Sequence, residues 1–307
     1  MEPTHTLDAW QASGNTFEAG GHSLFWRQAG DGPPLLLIHG FPTASWDWHR
    51  VWTALAGRFR VIAMDMLGFG FSAKPRGHDY SIFEQADLHE ALLAQLGIRR
   101  VHILAHDYGD TVAQELLARH AERRRSSWFA RPELEGAGRV EVASVCFLNG
   151  GLFPEANRPL RIQKLLASPL GAIASRFISQ ETFSEQFAAI FGPHTRPTAA
   201  ELEDFWRLVA HDGGVRVSHR LIRYLRERKE HRERWTGVLC RKTVPMRLVF
   251  GPEDPVSGEH HAARYREQVP EADVVPLRNI GHYPQVEDPA GVLRAFFAFH
   301  DERVTDL

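Results

Sequence analysis

The 307-residue chain has two cysteines, no apolar run long enough to span a bilayer, and no excess of either charge. Each scarcity removes a class of protein. Cys146 sits inside an apolar run and Cys240 precedes a basic pair, so there is no disulfide framework and a reducing, cytoplasmic setting is expected. The stretches 142–154 and 165–175 are too short, and too broken by Pro or Gly, to cross a membrane. The N-terminal MEPTHTLDAW lacks the basic and apolar parts of a secretory signal, so neither a leader nor a membrane partner is expected. With 36 Lys and Arg against 38 Asp and Glu, and a pI near 6.8, no overall field draws in nucleic acid. Internal repeats and low-complexity tracts are missing as well. So are HExxH and GxGxxG: Gly68-Phe69-Gly70 stops short of a nucleotide loop, and His102 and His106 share a strand without co-ligands. Neither a metal nor a cofactor is therefore expected, and a small hydrophobic substrate suits the balanced charge.

What is present is an alternation of strand-length apolar runs with helical patterns. The runs are PLLLIH (34–39), RVIAMD (60–65), VHILAH (101–106), VASVCFLN (142–149), PMRLVFG (245–251) and ADVVPL (272–277). Continuous apolarity is what parallel strands covered on both faces require, so the pattern predicts an α/β sheet flanked by helices. NTFEAG and HSLFWRQAG, upstream, predict an antiparallel hairpin. Ser81 followed by Glu84 predicts a capping box, and Gly97 a stop, for the helix between the second and third core strands. Residues 121–139 are charged and turn-rich and read as a surface excursion, with Arg123-Arg124-Arg125 as a solvated face. Between Gly150 and about Arg241 only helical stretches appear, among them RIQKLLAS, ETFSEQFAAIF, AAELEDFWRLVAH and SHRLIRYLRERKEHRERW. A helical block inserted between sheet strands predicts a cap (151–240) on a core made of 1–150 and 241–307, over the sheet edge where open α/β sheets place ligands. Its basic stretch, 226–234, reads as the cap's polar outer side.

The chemistry-bearing stretch is Ala105-His106-Asp107-Tyr108-Gly109, a strand, sharp turn and helix with small residues two before and two after the aspartate. Small flanks are what a strained nucleophile turn needs. Asp107 stands where a hydrolase usually carries serine; taken alone, it would serve equally as a helix N-cap. His106, beside it, reads as a packed, hydrogen-bonded neighbour of the turn. His39-Gly40-Phe41-Pro42, after PLLLIH, occupies the place of an oxyanion loop, so the backbone N–H groups of Phe41 and Tyr108 are the candidate oxyanion donors. VFGPEDPV places Asp254 just past a strand, with Glu253 as its competitor, and NIGHYPQVEDP places His282 after the last strand. Nucleophile, acid, histidine is the chain order of α/β hydrolases.

On these residues the chain resembles the α/β-hydrolase superfamily in its aspartate-nucleophile branch of epoxide hydrolases and haloalkane dehalogenases. HDYGDTVAQELL, NGGLFPEANRPL, FGPHTRP and GHYPQVEDP are similar to the mesoderm-specific transcript protein family. The resemblance implies a mostly parallel, eight-stranded sheet with an inserted helical cap. It also implies a cofactor-independent hydrolase with a covalent alkyl ester on Asp107, cleaved by water that His282 activates with Asp254 behind it. In epoxide hydrolases, cap tyrosines protonate the opening oxygen; Tyr224 is the one tyrosine between 151 and 240, and the usual second has no counterpart. In dehalogenases, Trp or Asn N–H groups hold the halide; here Tyr108 and Phe41 stand where two such donors belong, leaving Trp46, Trp48 or Trp206 to substitute. An epoxide hydrolase is the expectation, a haloalkane or haloacid dehalogenase the alternative, and a ligand-binding homologue without turnover the rival outside enzymes.

Overall fold

The protein is described here by a computed structural model covering residues 5–127 and 140–304. Its strands are β1 (Asn15–Ala19), β2 (His22–Ala29), β3 (Pro34–Ile38), β4 (Arg60–Met64), β5 (Arg100–His106), β6 (Glu141–Leu148), β7 (Met246–Phe250) and β8 (Val274–Pro276). They form one eight-stranded sheet in the order β1-β2-β4-β3-β5-β6-β7-β8. The β1–β2 and β2–β4 pairs are antiparallel and the remaining pairs parallel, as the hairpin and the apolar runs predicted. Successive side chains leave a strand on opposite faces. Thus Leu36, Ile62, Ile103 and Val145 enter one apolar layer, while Leu35, Leu37, Ala63 and Leu104 enter the other. Burial on both faces is why these strands read as unbroken apolar runs.

The helix Ile82–Gln95 begins where Ser81 Oγ accepts the Glu84 N–H at 3.1 Å. The predicted reciprocal bond is replaced: the Glu84 carboxylate accepts instead from His78 Nε2 at 2.6 Å. Past Leu96 the chain turns at Gly97, whose φ of +70° is the left-handed conformation glycine favours. After β5 the helix Tyr108–Ser127 runs six residues past the predicted start of the excursion at 121, because Arg123 is held by Glu90 (2.7 Å) and the Val140 carbonyl (2.6 Å). The remainder of that excursion, 128–139, lies outside the described residues.

Between β6 and β7 the described chain is helical without a strand. The stretch expected as SHRLIRYLRERKEHRERW divides into Ser218–Leu221, Tyr224–Glu230 and Arg232–Arg241. Thr198 caps Ala199–Ala210 in a full capping box with Glu201, and Ser179 caps Gln180–Ala188. Among the described residues, no helix is long and apolar enough to cross a membrane.

Candidate active site

Asp107 directly follows β5, with φ at +47°, a left-handed conformation that costs a non-glycine residue roughly 1–3 kcal/mol. The cost is carried by its surroundings. Its N–H donates to the Leu148 carbonyl at 3.2 Å, and its carbonyl accepts from the Asp110 N–H at 3.2 Å. Gly109 allows the closeness: a Cβ there would lie 2.3 Å from the Ile38 carbonyl oxygen, so the turn is pressed against the end of β3. Asp107 Oδ2 accepts the Phe41 N–H at 3.2 Å. Tyr108, the other predicted donor, has no bond from its N–H to the carboxylate among the described residues; its buried ring stacks edge-on against Tyr224, centroids 4.8 Å apart. His39 holds the loop rather than facing the carboxylate. Its Nε2 accepts the Met66 N–H at 3.0 Å, so Nδ1 carries the proton given to the Gly40 carbonyl at 2.9 Å. Burial pushes its pKa down to about 3, keeping it neutral.

Loops from three strand ends meet at His282. Its Nδ1 lies 2.8 Å from Asp254 Oδ2, and Glu253, the competing carboxylate, makes no such bond among the described residues. Asp254 is itself fixed: Val256 N–H and Ser257 Oγ donate to it at 2.7 Å each, and Asn149 Nδ2, after β6, at 2.9 Å. Burial disfavours both charges, yet each offsets the other's loss of water. The net result is an imidazole raised to about 9 and a carboxyl lowered to about 2, with Asp107 adding to the upward shift of His282. Glu287 braces the same loop by accepting the N–H groups of Gly281 (2.8 Å) and Tyr283 (2.9 Å). His106 is indeed a hydrogen-bonded neighbour: its Nε2 donates to the His282 carbonyl at 2.7 Å. Since a carbonyl only accepts, the proton sits on Nε2, and burial holds the ring neutral.

The helix Tyr224–Glu230 also reaches Asp107. Tyr224 is buried, and burial together with the charge of Asp107 pushes its phenol well above the ordinary tyrosine range, so it keeps its proton. One turn on, Arg228 corrects the expectation that 226–234 is an outer face. It is 2% exposed. Its Nη2 donates to the Asp107 carbonyl at 2.8 Å and lies 3.8 Å from Asp107 Oδ1, its Nε donates to Thr111 Oγ1 at 2.6 Å, and its guanidinium lies 4.4 Å from the Tyr224 ring centre. Gly151 makes room for it, since a Cβ there would sit 2.1 Å from Nη1. Arg234 is turned inward too, bonding Glu115 at 2.6 Å. Asp110, three residues past Asp107, is fully buried with neither oxygen bonded among the described residues; burial, then the Asp107 charge, raise its pKa well above normal. Sequence reasoning missed Arg228, because the only signal was one arginine among many in a basic helix.

A cavity of about 90 Å³ reaches His282 and Phe41, walled by apolar side chains including Leu166, Ile178, Phe183, Phe187 and Val256. No tryptophan lines it. Trp46 Nε1 donates to the His5 carbonyl at 3.0 Å, Trp206 packs beside Phe183, and the buried Trp48 Nε1 has no partner among the described residues. Elsewhere, His22, His78 and Glu84 offer three ligand atoms within 4.8 Å of one another, the one such grouping among the described residues. His78 and Glu84 already satisfy each other there.

A family model described as the alpha/beta hydrolase fold matches residues 33–289. The chain belongs to that family. Among curated relatives of this hydrolase, the mesoderm-specific transcript protein of Mus musculus is 43% identical over 304 residues, 95% of this chain and 87% of the relative. The putative hydrolase LipZ of Mycobacterium tuberculosis is 38% identical over 287 residues, 93% of this chain and 95% of LipZ. The fold is shared with the epoxide hydrolase CorEH (19% identity, TM-score 0.72, covering 94% of this chain and 98% of that one). It is shared equally with the haloalkane dehalogenase DbeA of Bradyrhizobium elkani (21%, TM-score 0.74, 94% and 97%). The hydrolase is thus related in sequence to the group its motifs resemble.

Proposed function

We propose that this hydrolase opens a hydrophobic epoxide through an alkyl ester on Asp107, beneath a cap formed by the helices between β6 and β7. The observation that supports this reading best is the buried Tyr224, whose ring packs against Tyr108, next to Asp107, and against the Arg228 guanidinium that is bonded to the Asp107 carbonyl; burial favours its protonated form. In the first step a carboxylate oxygen of Asp107 bonds to an epoxide carbon, that carbon's ring C–O bond breaks, and the opening oxygen takes the phenol proton. A carboxylate displaces an oxygen from saturated carbon without a base, so His282 has no part in this step. In the second step His282 takes a proton from water, which adds to the ester carbonyl. The resulting oxyanion, on Asp107 itself, meets the N–H groups of Phe41 and Tyr108. Collapse passes the proton from His282 to the departing alkoxide and releases a diol. The acid form of Asp107 returns its proton to the phenolate.

Arg228 serves this scheme as a positioning residue: it ties the helix carrying Tyr224 to the backbone of Asp107 and to Thr111. The dehalogenase alternative wants N–H donors at a halide; no tryptophan lines the cavity, and the Trp46 indole N–H is engaged by the His5 carbonyl. Intact-mass spectrometry of the protein incubated with epoxide and haloalkane panels tests the proposal. An adduct equal to a whole epoxide, mapped to Asp107, is expected; adducts from haloalkanes alone would overturn the epoxide assignment in favour of the dehalogenase.

A further inference from the structure

Large exposed apolar side chains are confined, among the described residues, to a stretch of 13 positions: Leu165, Leu170, Ile173 and Phe177. Ile173 is 56%, Leu170 60% and Phe177 79% exposed. Leu165 and Ile173 project from the short helices Arg161–Leu166 and Gly171–Ala174, Phe177 from the turn Ser175–Phe177, and Leu170 directly precedes the second helix. Scattered single exposures are ordinary, but a cluster that confines them all to one ridge marks a contact surface. The neighbouring Ile162, Leu166 and Ile178 face inward to the active-site cavity, so the ridge is its outer rim.

Beside the ridge runs a groove of about 560 Å³ that contains Ala172, within the same short helix, and four arginines: Arg76, Arg176, Arg216 and Arg220. Asp79 is the carboxylate that answers them, and it is engaged by Arg220 at 3.7 Å and by Arg223 at 3.2 Å. Arg76, Arg176 and Arg216 form no ion pair among the described residues. In a chain with a formal net charge of −2, this is a local concentration of positive charge.

We propose that this face docks on an anionic lipid bilayer, with Leu170, Ile173 and Phe177 inserted at the level of the headgroups and the groove arginines on lipid phosphates. Apolar anchors flanked by cations are the combination that holds a protein in the membrane interface without spanning it. That no helix among the described residues is long and apolar enough to cross a membrane bears on insertion across the bilayer and not on this mode. A second copy of the chain suits the face less well. A two-fold contact would set the same arginines of both copies together, and four apolar side chains fall short of the 20–30 residues a side typical of a stable interface.

The test is co-sedimentation of the full chain with vesicles of phosphatidylcholine alone or mixed with phosphatidylglycerol. It compares wild type, Ile173→Ser/Phe177→Ser and Arg176→Glu/Arg216→Glu, each checked for an unchanged melting temperature. Wild type should pellet with the mixed vesicles; the ridge variant should partition about tenfold more weakly or worse, since each lost anchor removes buried apolar area. The arginine variant should lose the preference for anionic lipid. Wild type remaining in the supernatant at every lipid concentration, or variants binding as wild type does, would overturn the proposal. So would a wild-type dimer in solution that the ridge variant converts to monomer.

Discussion

Two pairs of residues from different parts of the molecule serve the Asp107 turn: His282 and Asp254, hung from loops after β8 and β7, and Tyr224 and Arg228, one turn apart on a seven-residue helix. The first pair is bonded directly, at 2.8 Å, and Asn149, Val256 and Ser257 fix the carboxylate. The second pair has no strand beneath it. Its position depends on side chains reaching across: the Arg228 guanidinium to the Asp107 carbonyl and the Thr111 hydroxyl, and the Glu227 carboxylate to the Ile82 N–H. A sheet edge fixes its loops through many backbone bonds at once, whereas a short inserted helix is fixed by a few side chains. The strand side should therefore govern whether water chemistry occurs, and the helix side how well the ester forms.

Removing the residue both sides share has the largest expected effect. Asp107→Ala should retain the fold and lose turnover by several orders of magnitude, measured with the best epoxide of the panel. Wild-type-like turnover would remove the carboxylate from the scheme and the comparison with it.

The two sides are then separated by His282→Gln and Arg228→Met. His282→Gln should still form the ester but hydrolyse it roughly 10²–10⁴-fold more slowly, so the adduct accumulates to stoichiometry in a mass spectrum. Failure to alkylate would place His282 in the first step. Arg228→Met should instead slow ester formation by roughly ten- to a hundredfold, the effect of a misplacement of about 1 Å, with KM nearly unchanged. Arg228→Lys should recover part of it through the bond to the Asp107 carbonyl. Equal slowing of ester formation and hydrolysis would show that Arg228 supports the whole turn and not Tyr224 in particular.

The pH profile gives the smallest and most selective effect. His282 acts as a base only when neutral, and its pKa near 9 leaves it charged at neutral pH in the free protein. Ester decay should therefore rise with pH, by about tenfold per unit at most. Ester formation removes the Asp107 charge that helps hold His282 protonated, so the midpoint of the rise should fall below 9. Ester formation itself should be flat over the same range. A pH-independent decay would break the link between Asp254, His282 and water.

The strands and the order of Asp107, Asp254 and His282 could be read from the chain because each is a local pattern: an apolar run buried on both faces, then a residue at its C-terminal end. The elbow's small flanks were legible for the same reason, since Gly109 answers a contact with the adjoining strand. Arg228 was illegible. Its neighbours Arg226 and Lys229 share its composition, and only the breaks between Ser218–Leu221, Tyr224–Glu230 and Arg232–Arg241 rotate it inward. The sequence by itself determined the sheet, its two apolar layers and the strand-end positions of Asp107, Asp254 and His282, because hydrophobic periodicity and strand-end position are properties of short segments. Tertiary structure alone decided that an arginine from a basic helix lies against Asp107 and that the exposed apolar ridge borders the cavity, and it bore out the choice of Asp254 over Glu253 as the partner of His282. Those depend on contacts between segments as many as 121 residues apart, whose geometry no local pattern encodes.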